Sequence, residues 1–210
     1  PTLSYTWMID GTPSSTTSDT LSGPFAYGET ITCGVTASDG SLTGSATASV
    51  TVENTAPVVD SVSLNSPVLS DGTVTATASL SDIDSSQNVT ATYDWYVNGT
   101  VVQSGSTNTL DGSNFVKGDN VYVTVTPNDG VEDGTPVTSS SITIGNTAPS
   151  NLVVSVTSSD NFYNDSTLTC SATADDLDVT ENVDSLSYTY AWSTGDTGDT
   201  LVLDGSLLPG

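Results

Sequence analysis

Apolar and polar residues alternate along short stretches of this chain, which is the pattern of half-buried β-strands. In Thr73–Leu80 every second residue is apolar and the others are Thr or Ser, and Thr90–Val97 alternates in the same way. Asn98-Gly99 then predicts a tight hairpin, and no segment has a helical period. Seven strands with turn signals between them are predicted in the central part, at Val58–Leu64, Thr73–Leu80, Thr90–Val97, Val101–Ser104, Thr109–Leu110, Asn120–Pro127 and Thr135–Ile144. This pattern is typical of an antiparallel β-sandwich.

Several motifs recur about 90 residues apart, which indicates a duplicated domain. Asn54–Pro57 and Asn146–Pro149 both read Asn-Thr-Ala-Pro, and Phe25–Gly40 aligns with Phe115–Gly130 without a gap. A Tyr-x-Trp motif occurs three times, at Tyr5/Trp7, Tyr93/Trp95 and Tyr190/Trp192. The predicted units are residues 1–53, the C-terminal part of a repeat; 54–145, a complete repeat with its leading linker; and 146–210, the N-terminal part of a third.

The charge of the chain limits the ligands that it can bind. It has 25 acidic residues, one basic residue (Lys117) and no histidine, for a formal charge of −24. Because phosphate backbones and anionic lipids are bound by clusters of Lys and Arg, we expect neither nucleic acid binding nor direct membrane insertion. Without His or Arg, the usual general base and oxyanion clamp are missing, so we do not expect an enzyme.

These motifs together resemble the PKD-like and Ig-like tandem repeats of large bacterial surface and secreted proteins. The resemblance implies an all-β chain of tandem immunoglobulin-like sandwiches in an extended string, with Trp7, Trp95 and Trp192 in the cores. It also implies an extracellular or cell-surface role as an adhesin stalk or a filament subunit. The chain has Trp95-Tyr-Val-Asn-Gly where the PKD consensus has Trp-Asp-Phe-Gly-Asp-Gly, so either group is compatible with it.

The immunoglobulin plan places a disulfide between the second and sixth strands. Cys170 takes the second-strand position and Cys33 the sixth-strand position, where the middle copy has Ala76 and Val123. Each cysteine then pairs outside its copy or in a neighbouring subunit, in an oxidising compartment; the alternative is two buried free thiols. A Cys33–Cys170 bridge within one extended chain is not expected, because a whole domain separates the two residues.

Acidic residues cluster in the predicted loops at one pole of each sandwich, where they predict a Ca²⁺ site. The linker also resembles the Asp/Asn-Ala-Pro junctions of cadherin-like repeats, which implies that calcium stiffens the hinge. The alternative is that these are ordinary Asp-rich turns. The predicted ligands are Asp82, Asp84, Asp129, Asn54 and Glu53 at the first linker and Asp175, Asp176 and Asp178 at the second.

Two further surface features are predicted. Asn88, Asn98 and Asn164 lie in Asn-x-Ser/Thr sequons, which makes them candidate glycosylation sites. An alternative function is a carbohydrate-binding accessory module of a secreted enzyme, with Tyr96, Tyr122, Phe162 and Tyr163 as scattered outward aromatics. The expected partners are therefore neighbouring copies of the repeat or subunit, or a polysaccharide or cell-surface ligand.

Two explanations fit the partial first and third copies. The chain is either a segment of a longer array, or a subunit whose partial copies complete each other between chains. Complementation would bring Cys170 of one chain against Cys33 of the next, but it would duplicate the Tyr-x-Trp strand.

Overall fold

The structure, a computed structural model, describes residues 2–84, 86–180 and 182–203. The outer limits of the first and third predicted units, Pro1 and Gly210, lie outside this part. The regular structure is almost all β, with 50% strand and 4% helix, which confirms the expected all-β class. The strands are β1 (Thr2–Ile9), β2 (Thr12–Pro13), β3 (Thr30–Ser38), β4 (Thr43–Thr51), β5 (Val58–Leu64), β6 (Thr73–Ser81), β7 (Thr90–Val97), β8 (Thr100–Gly105), β9 (Thr109–Asp111), β10 (Asn120–Asn128), β11 (Val137–Thr138), β12 (Ile142–Thr143), β13 (Ser150–Ser158), β14 (Thr167–Asp175) and β15 (Thr200–Val202). The helical segments described are a 3-10 turn, Gly112–Asn114, and α1, Leu177–Thr180, and none is long and apolar enough to cross a membrane.

The middle segment forms two antiparallel sheets around one core. One sheet has the order β5-β6-β9, and the other has the order β11-β10-β7-β8 with β12 also paired to β10. Trp95 is fully buried, and its indole N–H donates to the Thr107 carbonyl at 3.2 Å. The core side chains come from both sheets and their connections: Val68, Val74, Ala76, Trp95, Val97, Leu110, Phe115, Val121, Val123, Val125 and Ile144. Burial of these side chains stabilises the two-sheet packing.

The hairpin at Asn98-Gly99 is confirmed. Both residues have positive φ, 50° and 82°, as a tight turn requires. The Asn98 side chain also donates to Asp119 Oδ1 at 2.6 Å and accepts from the Asn120 backbone N–H at 3.0 Å. The turn is therefore tied to the start of β10.

The prediction of one continuous strand over 135–144 is wrong. It is divided into β11 and β12, with Ser139 between them. The Ser139 hydroxyl accepts from the Val123 backbone N–H at 3.2 Å, and its own N–H donates to the Val123 carbonyl at 2.9 Å. A side chain thus replaces one backbone partner and interrupts the ladder.

The first and third units each contribute one described sheet. The first sheet has the order β2-β1-β3-β4 and the third has the order β13-β14-β15. The Tyr-x-Trp strand predicted at Tyr190–Trp192 is absent from the described residues; only an isolated bridge joins Ala191 to Thr197. Tyr-x-Trp strands elsewhere pair with β3 or β10, and the described third sheet has no counterpart of those strands. Within 182–203 and the other described ranges, Tyr190–Trp192 therefore has no neighbouring strand to complete its hydrogen bonds.

Candidate functional site at the two linkers

The first Asn-Thr-Ala-Pro linker is hydrogen-bonded to loops of the middle unit. The Thr55 backbone N–H donates to Asp84 Oδ2 at 2.8 Å, and Asp84 is 4% exposed. The Asn54 amide donates to Asp129 Oδ2 at 2.8 Å and to Glu132 Oε1 at 3.0 Å. Gln87 Nε2 in turn donates to Asn54 Oδ1 at 2.6 Å. The linker is thereby held between the loop that follows β6 and the loop that follows β10.

Asp129 organises the loop that follows β10. Its Oδ1 accepts from the backbone N–H groups of Val131 at 2.7 Å and Glu132 at 2.8 Å. Desolvation by burial acts to raise the pKa of this carboxyl, but the hydrogen bonds from Asn54, Glu132 and Val131 outweigh it. The net effect lowers the pKa of Asp129, so the residue stays ionised and holds the linker at neutral pH.

The linker proline also packs against this loop. Pro57 is fully buried, and a Cβ at Gly134 would collide with the Pro57 carbonyl oxygen and the Pro127 ring. Gly134 N–H donates to the Pro127 carbonyl at 2.9 Å. Only glycine fits here because the linker backbone lies directly against it.

The second linker repeats the arrangement and adds a bond to the preceding unit. Thr147 N–H donates to Asp178 Oδ2 at 2.8 Å, in the same way that Thr55 donates to Asp84. The Ser70 hydroxyl, in the middle unit, donates to Asp178 Oδ1 at 2.6 Å. Ser70 and Asp178 are both 0% exposed. One buried carboxylate therefore joins the linker, the middle unit and the third unit.

The single basic residue strengthens the second junction. Lys117 Nζ lies 2.5 Å from Asp184 Oδ2 and donates to Asn146 Oδ1 at 2.7 Å. The hydrogen bond from Lys117 lowers the pKa of Asp184, and the same bond raises the pKa of Lys117. The ion pair links the middle unit to the third unit on the surface.

At the first linker, Asp82, Asp84 and Asp129 of the predicted calcium ligands already accept hydrogen bonds. Asp82 Oδ1 accepts from the Asp84 N–H at 2.8 Å, Asp84 accepts from the linker, and Glu53 is exposed. Two buried oxygens at this junction, Asp82 Oδ2 and Gln87 Oε1, have no protein partner among the described residues. In that part of the chain no three acidic, Cys or His side chains converge closely enough to hold a metal ion. The fit to Ca²⁺ is thus partial, and calcium at this junction stays a prediction.

The second predicted ligand set is divided between two tasks. Asp175 Oδ2 accepts from the Asn151 amide at 2.9 Å, and Asp176 Oδ1 accepts from the Asp178 N–H at 2.9 Å. Asp178 points instead to Ser70 and Thr147. These carboxylates therefore hold the second junction together by accepting hydrogen bonds.

Sequence reasoning placed the aspartates but missed their partners. The missed residues are Thr55, Gln87 and Glu132 at the first linker and Ser70, Thr147, Lys117 and Asp184 at the second. Repetition of the linker Thr was a usable signal, since Thr55 and Thr147 make the same bond. Ser70 and Lys117 carried none, because their role depends on the neighbouring unit.

The remaining candidate residues lie on the surface or on sheet faces. Cys33 and Cys170 are half-buried free thiols, so the disulfide stays a prediction. Asn88, Asn98 and Asn164 are exposed. Tyr96 and Tyr122 are not scattered: their rings stack 4.7 Å apart at 7°.

A scan of the chain against protein-family models finds no match, and a search of curated proteins finds no similar sequence.

Proposed function

We propose that the chain is a structural or adhesive extracellular protein, in which tandem immunoglobulin-like units act as an adhesin stalk or as a filament subunit. The observation that carries this proposal is the second junction, where Asp178 bonds both to the linker and to the middle unit. A stalk that projects from a surface needs junctions that resist bending. The extracellular or surface location rests on the resemblance to bacterial surface repeats, and the chain is not proposed to be an enzyme.

The junction contacts resist bending because breaking them is costly. If the third unit swings away, the Ser70 hydroxyl loses its bond to the Asp178 carboxylate, and a hydrogen bond to a charged group contributes about 1.5–3 kcal/mol. The Lys117–Asp184 pair adds a smaller, screened contribution, since both side chains are about one third exposed. Ca²⁺ bound near Asp82 and Gln87 would add to this stiffness at the first junction.

A carbohydrate-binding module is the second candidate function, favoured by the stacked Tyr96–Tyr122 pair. These rings lie beside hydroxyl groups of Thr124, Thr138 and Ser139 around an open cleft. Sugars stack on exposed ring faces, but here each ring covers one face of the other. The structural role therefore accounts for more of the observed hydrogen bonds than carbohydrate binding does.

The proposal is tested by the stiffness of the string. Dyes on Cys33 and Cys170 report on the first and third units, and single-molecule energy transfer at high dilution measures the spread of their separation. We expect a narrow distribution for the native chain and a broad one for Asp178→Asn, because the amide keeps only one oxygen and its NH2 group then faces the donor of either Ser70 or Thr147.

Asp19→Asn is the matched control, since Asp19 is exposed and the change in charge is the same. It should leave the distribution narrow. A native distribution for Asp178→Asn would show that the Asp178 bonds do not stiffen the junction. It would then remove the main support for the structural role.

A further inference from the structure

The outer face of the middle sandwich carries the stacked tyrosine pair. Tyr96 and Tyr122 stand opposite each other on the neighbouring strands β7 and β10, and both are half-buried. They alternate along their strands with the core residues Trp95, Val97 and Val123, which point to the other face of the sheet. The pair therefore lies on the surface of the complete unit and outside its core.

The stacking leaves one face of the Tyr122 ring uncovered by its partner ring. The two rings are parallel to within 7°, and β7 and the pair β11 and β12 flank β10 on opposite sides. Because Tyr96 covers the ring face that points toward β7, the second face of Tyr122 points toward β11 and β12. A tyrosine face of this kind is a stacking surface for a flat apolar group.

The sheet edge beside Tyr122 contains one extra residue. Thr138 stands opposite Thr124 and Ile142 stands opposite Val121, so four steps along the edge correspond to three steps along β10. An extra residue of this kind is a β-bulge, which interrupts pairing and redirects side chains. The interrupted stretch, 139–141, consists of three serines. Their short side chains leave space beside the Tyr122 ring.

The bulge and the ring together border an open cleft. Its volume is about 530 Å³, within the range of roughly 300–1,000 Å³ that is typical of small-molecule sites. Two of its lining residues are aromatic, and each of the others carries a hydroxyl group: Tyr96, Tyr122, Thr124, Thr138, Ser139 and Ser141. The cleft therefore joins an aromatic wall to a wall of neutral hydrogen-bonding groups.

Part of the hydrogen-bonding capacity of this cleft is unused by the protein. Ser139 is 9% exposed, and its hydroxyl accepts from the Val123 N–H at 3.2 Å. Within 2–84, 86–180 and 182–203, no acceptor receives the hydrogen of that hydroxyl. The hydroxyls of Thr124 and Thr138 bond each other at 2.8 Å, which uses one of their two hydrogens. The cleft therefore offers both donors and acceptors to a ligand.

The charges near the cleft select against an anionic ligand. Asp94 lies on the same face as Tyr96, two residues before it, and stands opposite Thr124. The whole chain has a formal charge of −24, so an anion approaching this face is repelled. The favoured ligand is neutral, has an apolar face for the ring and carries several hydroxyl groups.

We propose that this cleft binds one ring of a neutral saccharide, which stacks on Tyr122 and exchanges hydrogen bonds with the serine and threonine hydroxyls. A sugar ring presents C–H groups on its face and hydroxyls at its edge, so it matches both walls of the cleft. The inference rests on the adhesive role in the proposed function and names the chemical class of the ligand.

A proline-rich peptide is the other ligand that stacks on tyrosine. Proline offers only a carbonyl acceptor to its surroundings, because it has no backbone N–H. The cleft presents hydroxyls that can also accept, and those acceptors would stay unmatched. A saccharide satisfies both kinds of group, so it accounts for more of the lining.

Saturation-transfer NMR on the full chain tests the proposal. The neutral probes are cello-, malto-, manno- and N-acetylchito-oligosaccharides, the anionic probe is an oligogalacturonate, and a proline-rich peptide is the third. We expect magnetisation to pass from tyrosine protons to ring C–H protons of at least one neutral saccharide. We expect no transfer to the oligogalacturonate or to the peptide.

Two phenylalanine variants locate the binding. Ser141→Phe fills the cleft, whereas Ser140→Phe adds the same side chain at the neighbouring exposed residue, which does not line it. We expect the first to weaken binding at least about tenfold and the second to leave it unchanged, with the same circular dichroism for both. Tyr122→Phe, which keeps the ring, should bind, and Tyr122→Ala should lose about tenfold in affinity.

Several results would overturn the proposal. They are transfer to no neutral saccharide, equal binding of the oligogalacturonate, binding of the peptide alone, and equal losses in the two phenylalanine variants. Asp178→Asn should bind the saccharide as the native chain does, because Asp178 lies at the second junction and not at the cleft. Failure of the binding site and failure of the stiff junction are therefore separate outcomes.

Discussion

At the scale of single residues, this protein uses carboxylates as acceptors for backbone and side-chain donors. Asp84 and Asp178 follow the equivalent strands β6 and β14 and accept from equivalent linker threonines. The Asp178 carboxylate also accepts from Ser70. Short acidic side chains suit this task because they reach nearby N–H groups without ordering a long side chain.

The Lys117–Asp184 pair predicts a pH-dependent stability difference between the native chain and Lys117→Gln. The pKa of Asp184 is lowered in the folded chain, so the pair contributes above the ordinary Asp value of about 3.9 and is lost as pH falls through the lower folded value. The pKa of Lys117 is raised, so the contribution is present below about 10.4 and is lost as pH rises through the folded value.

Thermal unfolding across pH checks this expectation. The native chain should unfold at a higher temperature than Lys117→Gln at neutral pH, and the two should converge in acid. Asp184→Asn is the control, because adding Lys117→Gln to it should change little. A gap that persists in strong acid would contradict the assignment.

At the scale of elements, the burial of a linker depends on how closely the neighbouring loops approach it. Pro57 is buried against the loop after β10, whereas Pro149 is exposed. The burial of Pro57 comes from the close approach of the Gly134 loop to the linker backbone.

Gly134→Ala is expected to destabilise the middle sandwich by about 1–3 kcal/mol, since the added methyl overlaps the Pro57 backbone and forces the linker or the loop to move. Amide hydrogen exchange in β6 and β10 measures this loss. Gly44→Ala is the matched control, because a Cβ there meets open space. Equal exchange in both variants would show that the linker does not need this close approach.

At the scale of the whole molecule, the charge of −24 and the single Lys dominate the response to ions. Mutual repulsion lowers the stability of the folded chain, and any cation that screens it helps. A specific calcium site must therefore be separated from general screening.

We predict that Ca²⁺ raises the unfolding temperature more than Mg²⁺ at the same ionic strength, because bound Ca²⁺ would neutralise the buried oxygen of Asp82. Asp82→Asn should remove the excess and leave the effect of Mg²⁺, while Asp19→Asn should keep both. Identical curves in the two ions would eliminate the predicted site.

The amino-acid sequence by itself determined the all-β class, the positions of the long strands and the hairpin at Asn98-Gly99. These features follow from local rules: alternation by two places side chains on opposite faces, and positive φ selects Asn and Gly. The repeat of the linker threonines likewise foretold a shared contact, although not its acceptor.

Only the tertiary structure decided which groups meet. The break at Ser139, the missing strand at Tyr190–Trp192 and the bond from Ser70 to Asp178 all depend on whether a distant partner is present. A hydrogen-bonding strand or a buried carboxylate is stable only when its donors and acceptors are matched, and that matching is a property of the assembled sheets and junctions.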